Sequence, residues 1–499
     1  MTEQKNSYRQ IMKATSLFGG VQFFQILISV VRSKFVAILL GPAGMGVVGL
    51  LTSTAGLVGG LTNFGLGTSA VKNISEANAS GDKDRISTVI AVLRRLVWLT
   101  GLLGALVTLL LSPWLSEFTF GNRDYTVAFA WISITLLFNQ LNIGEMVLLQ
   151  GLRRLQHLAK ANVYGSLTGL IITIPLYYKF GVRGIVPVII ITTFITLFFS
   201  WYFARKIKTE NVPISQFILS TEGKGMMTMG FMISLSGLTT MIAAYLIRIF
   251  INRTGDVADV GFYNAGFTII NTYVGMIFTA MGTDYYPRLS MVAKDNARCK
   301  ENINQQSEIA LLILAPILIF FLVFVNWAVI LLYSSQFLAI TGMVYWAVMG
   351  IFFKAISWAI AFIFLAKGAG RLFFWNELAS NIYTLILNVL GYYWGGLTGL
   401  GVSFLLSYLI YLLQVFIIAK VKYHFAFSAS FILIFSVQFL LAMLGFAAVS
   451  MMRQPYVYLP GIVLIGISTW YSFKELEQRI GLKGIIQNSI QKIRKNNCL

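Results

Sequence analysis

ATSLFGGVQFFQILISVVRSKFVAILL (residues 14–40), the short break GPAGM (41–45) and GVVGLLTSTAGLVGGLTNFGLGTSA (46–70) decide the fold. Each long run exceeds the roughly 20 mainly apolar residues that a helix needs to cross a bilayer. Within lipid every backbone N–H and C=O must be satisfied inside the structure, so these runs are helices rather than open strands. A β-barrel would instead alternate in segments of about ten residues. The same test, carried outward, finds further spans near 86–111, 127–150, 157–178, 183–204, 226–251 and 260–284. Others follow near 307–333, 339–366, 372–394, 398–419, 430–451 and 456–473. The expected architecture is therefore an all-α integral membrane protein of about fourteen transmembrane helices.

Composition agrees. Of 499 residues, 57% are hydrophobic and 11% charged, against about 45–50% and 25% in soluble domains. Cys299 and Cys498 cannot build a disulfide framework. His157 and His424 stand alone, so no metal or cofactor is expected. The polar start (residues 1–13) followed by an apolar run without a small-residue cleavage site reads as a signal-anchor kept as the first span.

The net charge of +20 invites a nucleic-acid reading, but the placement of the charges opposes it. With the N-terminus inside and the spans alternating, 5 of the 38 Lys and Arg fall outside (Arg123, Lys179, Arg183, Arg253, Arg453). Six lie within spans (Arg32, Lys34, Arg94, Arg95, Arg248, Lys354), and the other 27 face the cytoplasm. That is the positive-inside pattern, with both termini cytoplasmic and the basic charge against the anionic inner leaflet. The tail after the last span mixes Leu and Ile with Lys and Arg at helical spacing and is expected on the inner-leaflet surface. All loops are short; the longest outer one is expected around Ser112–Arg123.

An internal repeat is visible. Arg32 to Gly46 and Arg248 to Gly261 each run from the end of an odd span through a short outer loop to a Gly that opens an even span. A basic residue, Lys72 or Arg288, then follows the even span. Two parallel six-helix lobes are expected, at 1–210 and 211–425, with two further spans at 426–475 and a basic tail at 476–499. Such repeats are a transporter architecture.

Charges buried in lipid are costly and usually face an interior cavity. Arg32, Arg248, Arg94, Arg95, Lys34 and Lys354 outnumber the acids Glu145, Asp284 and Glu377, so a cavity lined this way attracts an anion. Arg suits phosphate because its planar fork donates two hydrogen bonds at once. On span one, Gln22, Gln25, Ser29 and Arg32 share a face, and Lys34 points away from it. Gly56, Gly59, Gly60 and Asn63 share one on span two. Ser234, Gly237, Met241, Tyr245 and Arg248 share one on span seven, and Asn264, Thr268, Asn271 and Gly275 one on span eight. Gln22, Gln25, Ser29, Asn63, Asn264 and Asn271 are the expected polar lining. The alternative is that these small and polar residues are helix-packing contacts, and that Lys34, Arg94 and Lys354 snorkel or pair with a carboxylate. Glu145 follows Asn139 and Asn142 on a roughly shared flank. With Glu377 and Asp284 it is a candidate for ion coupling, or else the counter-ion of Arg94 or Arg95. No phosphate loop, HExxH or GxSxG is present, so the chain is not expected to be an ATPase or an enzyme.

SVVRSKFVAILLGPAGMGVVGL (29–50), NFGLGTSAVKNISE (63–76) and RTGDVADVGFYNAGFTIINTYVGMIFTAMGTDYYPRLS (253–290) resemble the openings of the two lobes of bacterial O-antigen and polysaccharide flippases. These belong to the multidrug/oligosaccharidyl-lipid/polysaccharide exporter superfamily. The resemblance implies a two-lobed fold in the inner membrane with a cationic cavity, Arg32 and Arg248 matching its basic positions. It implies transport of undecaprenyl-pyrophosphate-linked glycan units to the periplasmic leaflet, in lipopolysaccharide or other polysaccharide biosynthesis. Implied partners are that lipid, membrane lipids, a polysaccharide polymerase and a chain-length regulator, with a monomeric protein and no nucleic acid. A lipid II flippase shares these features. A cation-coupled drug antiporter would carry acids in its first lobe, and spans one and two have none. A polymerase or glycosyltransferase would carry a large outer loop.

Overall fold

A computed structural model describes the backbone of residues 2–207, 216–273, 275–453 and 455–480; side chains are described except at 2–23, 216–221, 232, 233, 236, 273, 276, 279, 280, 283, 284 and 480. Among these residues all regular structure is helical. The helices are α1 (Thr2–Thr62), α2 (Leu66–Ser80), α3 (Lys83–Leu110), α4 (Ser112–Phe120), α5 (Thr126–Gly151), α6 (Leu155–Phe180), α7 (Ile185–Ala204) and α8 (Gln216–Thr254). They continue as α9 (Val257–Thr268), a π turn (Ile269–Tyr273), α10 (Gly275–Met291), α11 (Asn296–Val323), α12 (Val325–Leu332), α13 (Thr341–Ala366), α14 (Gly370–Tyr423), α15 (Ala429–Met451) and α16 (Tyr458–Ile480).

Eight stretches of the described chain are long and apolar enough to cross a membrane. Three of them, Phe24–Thr62, Leu155–Ala204 and Gly370–Tyr423, each hold two expected spans. The first divides at Gly41 (φ 65°) and the third at Gly396 (φ 53°), a left-handed geometry that glycine adopts without a Cβ clash. The second divides at the short 3-10 turn Gly181–Gly184. With α8, α9–α10 and α16 the helices account for the fourteen spans, and the protein is a multi-pass membrane protein.

The expected outer loop at 112–123 is mostly helix α4. Pro113 stands in its first turn, where its missing N–H costs nothing, and Gly121 (φ 80°) ends it. Its last carbonyls are taken up from α8. Arg253 Nη2 donates to the carbonyls of Glu117 and Phe118, both at 2.9 Å, and Asn252 Nδ2 to that of Thr119 at 3.0 Å. A cation there also complements the helix dipole.

The chain packs as two compact units, Met1–Asn264 with Leu332–Gln336, and Ala265–Leu331 with Phe337–Leu499. The expected lobe boundary at 210, and the tail beyond residue 480, lie outside the described residues. In the first unit, Leu66, Ala70 and Ile74 of α2 pack on Val89, Leu93 and Val97 of α3 and on Leu148 and Leu149 of α5. In the second, α11 and α13 are buried on most of their faces. There α15 and α16 are joined through Gln438, which donates to Ser472 Oγ (2.8 Å) and accepts from Ser468 Oγ (2.6 Å). Arg479 ties the end of α16 to Glu308 of α11 at 3.0 Å.

The two repeat motifs meet inside the first unit, and they meet reciprocally. A Cβ on Gly46 would lie 1.8 Å from the carbonyl oxygen of Val257; one on Gly261 would lie 1.9 Å from that of Pro42. Each glycine thus abuts the residue four positions before the other. Three positions after Gly46, Gly49 leaves room for Asn264, which stands three positions after Gly261. A contact in which i meets j and j meets i is what a two-fold relation between repeats produces.

Candidate functional site

The first unit holds a cavity of about 530 Å³ lined by Arg32 from the first half of α1, by the second half of α1, by helices α3, α5 and α7, and by Met241 of α8. Its volume lies in the range of small-molecule sites, about 300–1,000 Å³. Gly56, Gly59 and Gly60 form its α1 wall, and around Gly59 no atom stands within 4 Å of a built Cβ. The glycines therefore keep open a volume that side chains would fill.

Arg32 is the one charged residue on the described lining, and it is exposed. It forms no salt bridge with a described residue. The rest of the polar lining is neutral. The threonine hydroxyls return their protons to the helix backbone: Thr52 to Val48, Thr192 to Val188 and Thr193 to Ile189, each at 2.7 Å. What they present to the cavity is lone pairs. Gln140 donates to Thr100 at 2.9 Å, and Asn63 Oδ1 accepts from the Gly65 amide at 2.8 Å. The side chains of Asn139 and Asn142 make no hydrogen bond to a described residue. Arg32, Asn139, Asn142 and the amide nitrogen of Asn63 are thus donors left over for a ligand.

The other expected site residues are distributed elsewhere. Arg248 does not stand free in a cleft: its Nε donates to Asn264 Oδ1 at 2.8 Å, its Nη1 to the Ala244 carbonyl at 2.6 Å, and its guanidinium lies 5.4 Å from the Tyr263 ring centroid. Arg94 and Glu145 line a different groove, bounded by α3, α5 and α7. Asn139 and Asn142 line the Arg32 cavity and Glu145 lines the groove, although the three-residue step from 142 to 145 leaves those two side chains only about 60° apart around α5. Arg95 is exposed, and Lys34, Gln25 and Ser29 are half-buried without lining the cavity. The side chains of Gln22 and Asp284 lie outside the described residues.

In the second unit, Lys354 donates to Asn271 Oδ1 at 3.0 Å and sits over the rings of Tyr408 (5.1 Å) and Phe404 (5.6 Å). Asn271 belongs to the π turn, a helix irregularity frequent at functional sites; the uniform helical spacing assumed for span eight therefore does not hold there. Glu377 accepts from the hydroxyl of Tyr411 and, at 3.3 Å, from Asn376 Nδ2.

The neutral lining was only partly visible in sequence. Asn139 and Asn142 are conspicuous as amides in an apolar helix, while Thr192, Thr193 and Thr196 carry a weaker signal. Their signal is spacing: they and Ile189 recur on one face of the very apolar helix α7.

Residues 35–342 match the family model described as polysaccharide biosynthesis protein. The chain belongs to that family. No curated protein sequence matches it. Among solved structures it resembles an inward-facing multidrug resistance MATE transporter of the MOP superfamily, with a TM-score of 0.68 at 15% identity over 80% of this chain and 94% of that one. It also resembles the lipid II flippase MurJ in an inward closed conformation, with a TM-score of 0.66 at 11% identity over 93% and 99%. A MOP superfamily transporter from Pyrococcus furiosus matches with a TM-score of 0.57 at 15% identity over 83% and 96%. At these identities the likeness establishes the fold alone: this member of the family has the fold of those structures.

Proposed function

We propose that the protein is a lipid-linked oligosaccharide flippase. It moves undecaprenyl-pyrophosphate-linked glycan units from the cytoplasmic to the periplasmic leaflet of the inner membrane by alternating access. The observation that carries this reading is Arg32: an exposed guanidinium without a salt bridge to a described residue, in a cavity whose other polar groups are amides and hydroxyls. A guanidinium pairs with pyrophosphate through two hydrogen bonds at once. Amides and threonine lone pairs suit sugar hydroxyls, which both donate and accept. The lipid tail stays in the bilayer while the polar head crosses. Membership of a polysaccharide biosynthesis family supports the glycan, and the absence of a carboxylate from the described lining disfavours a cationic drug. O-antigen is the glycan class favoured by the lobe motifs. Glu377, bound by Tyr411 between the two halves of α14, is the acid best placed to carry a coupling proton.

A second reading, lipid II transport, is favoured by the likeness to MurJ over 93% of this chain. Both readings need the pyrophosphate site. The test is a liposome assay in which purified protein translocates fluorescent polyprenyl-pyrophosphate glycan, with lipid II as competitor. Translocation that Arg32→Glu abolishes supports the proposal. Efflux of small cationic dyes in place of the glycan overturns it.

A further inference from the structure

A second concavity of about 630 Å³ in the first unit is unlike the Arg32 cavity in every respect. Three helical stripes build it: Arg94, Val97 and Trp98 on α3; Leu141, Gly144 and Glu145 on α5; Phe194, Leu197, Phe198 and Trp201 on α7, ending at Arg205. Gly144 lets α3 come close, a Cβ there falling 3.0 Å from Val97 Cγ2.

The two concavities stand back to back. On α5 the cavity takes Asn139, Asn142 and Ile143 and the groove takes Leu141, Gly144 and Glu145. At 100° per residue these sets lie on opposite faces. On α7 the division recurs, with Ile189, Thr192, Thr193 and Thr196 against Phe194, Phe198 and Trp201. One face of each helix is therefore wet and the other faces outward, where Trp98, Phe194, Phe198 and Trp201 are all exposed. In a membrane protein such a face meets lipid.

Chemistry is confined to one end of the groove. Arg205 closes α7 with its guanidinium 4.4 Å from the Trp201 ring centroid, and Lys206 follows it over Tyr202 at 4.5 Å. Arg94 lies about 16 Å along α3 from Lys83, on the 1.5 Å rise per residue, and is the α3 lining residue nearest to it. Neither Arg94 nor Arg205 is in a salt bridge with a described residue. Glu145 leaves the groove with two guanidiniums against one carboxylate, and its Oε2 is buried without a hydrogen-bond partner. The Lys and Arg distribution assigns this end to the cytoplasmic leaflet.

We propose that this groove is a binding site for an anionic phospholipid of the inner leaflet, its phosphate held between Arg94 and Arg205 and an acyl chain laid along Trp98, Phe194, Phe198 and Trp201. The charge balance selects an anionic headgroup over a zwitterionic one, and the aromatic walls select a lipid over a free phosphate. The site is independent of the glycan reading, because it shares no residue with the Arg32 cavity.

The test is native mass spectrometry of the purified full-length protein in mild detergent, with equimolar dioleoyl phosphatidylglycerol and dioleoyl phosphatidylcholine. The wild type is expected to retain one phosphatidylglycerol several-fold over phosphatidylcholine. Arg205→Gln is expected to cut that retention about tenfold, the worth of one charge-assisted hydrogen bond, and Arg94→Gln/Arg205→Gln to erase the preference. Arg205 stands at a helix end, so its variant keeps the test meaningful if the Arg94 change impairs folding. Trp98→Ala/Phe198→Ala, with both cations intact, is expected to weaken retention of both lipids. Arg32→Gln leaves phosphatidylglycerol retention unchanged even where it stops glycan transport, which separates the two proposals. Undiminished retention in Arg205→Gln overturns the site. So does equal binding of the two lipids by the wild type, or displacement of phosphatidylglycerol by polyprenyl pyrophosphate in both the wild type and Arg32→Gln.

Discussion

Arg32 and Arg248 stand 14 and 13 positions before Gly46 and Gly261, one step out of register in the two repeats, and their surroundings differ. Arg32 faces a cavity and forms no salt bridge with a described residue. Arg248 is held by Asn264, the Ala244 carbonyl and the Tyr263 ring. The repeats have kept a common scaffold, the reciprocal Gly46 and Gly261 contact, and diverged in what they do with the cation beside it. A charge without a counter-ion in a membrane is a cost that function must justify; a guanidinium already engaged by two hydrogen bonds and a ring has a packing role that Arg32 lacks among the described residues.

The largest effect should come from breaking the shared scaffold. Gly46→Leu or Gly261→Leu puts a side chain into a backbone carbonyl at under 2 Å. The cost should reach about 3 kcal/mol or more, the upper range for overpacking, seen as loss of folded protein on size exclusion. Gly59→Leu is the contrast. No atom stands within 4 Å of its Cβ, so the protein should accumulate normally while the side chain fills the cavity and transport stops.

Next in size is Arg32→Gln. Removing a charge-assisted contact of about 1.5–3 kcal/mol should lower transport roughly 10- to 100-fold, with thermal stability unchanged. Arg248→Gln should do the reverse. It should lower stability by about 1–2 kcal/mol, with transport falling only as folded protein falls. A double-mutant cycle with Asn264→Ala should give a coupling near 1 kcal/mol. Equal stability loss at both arginines would dissolve the distinction between them.

The asymmetry could not be read from sequence. Apolar runs, glycines at breaks and the placement of Lys and Arg made the helices, their number and the repeat legible, because bilayer thickness and backbone hydrogen bonding constrain each locally. Whether an arginine is paired depends on a neighbour from another helix. Asn264 lies 16 positions from Arg248, and nothing in that spacing distinguishes a hydrogen-bond acceptor from a cavity wall. The same gap explains Arg94, expected with Arg32 from its type and depth. It stands instead in the groove with Glu145, while Asn142, three residues away on α5, lines the cavity. The outer loop at 112–123 misled for a related reason, since α4 ends on carbonyls that Arg253 and Asn252 of α8 satisfy.

The smallest effects, and the sharpest discrimination, should come from lysine. At Arg248 two different nitrogens serve two acceptors, Nε to Asn264 and Nη1 to Ala244. An ammonium is a point charge on a flexible stem and cannot hold that fork, so Arg248→Lys should lose about one hydrogen bond, near 1 kcal/mol, read as a lower melting temperature. Arg32→Lys has no fork with a described residue to lose, and its melting temperature should not move. Whatever it loses must come from the ligand. A small fall in transport would mean that the pyrophosphate is held as a charge; a fall approaching that of Arg32→Gln would mean that it is gripped by two parallel hydrogen bonds. Either way the loss would appear only with substrate present, whereas that of Arg248→Lys would appear without it.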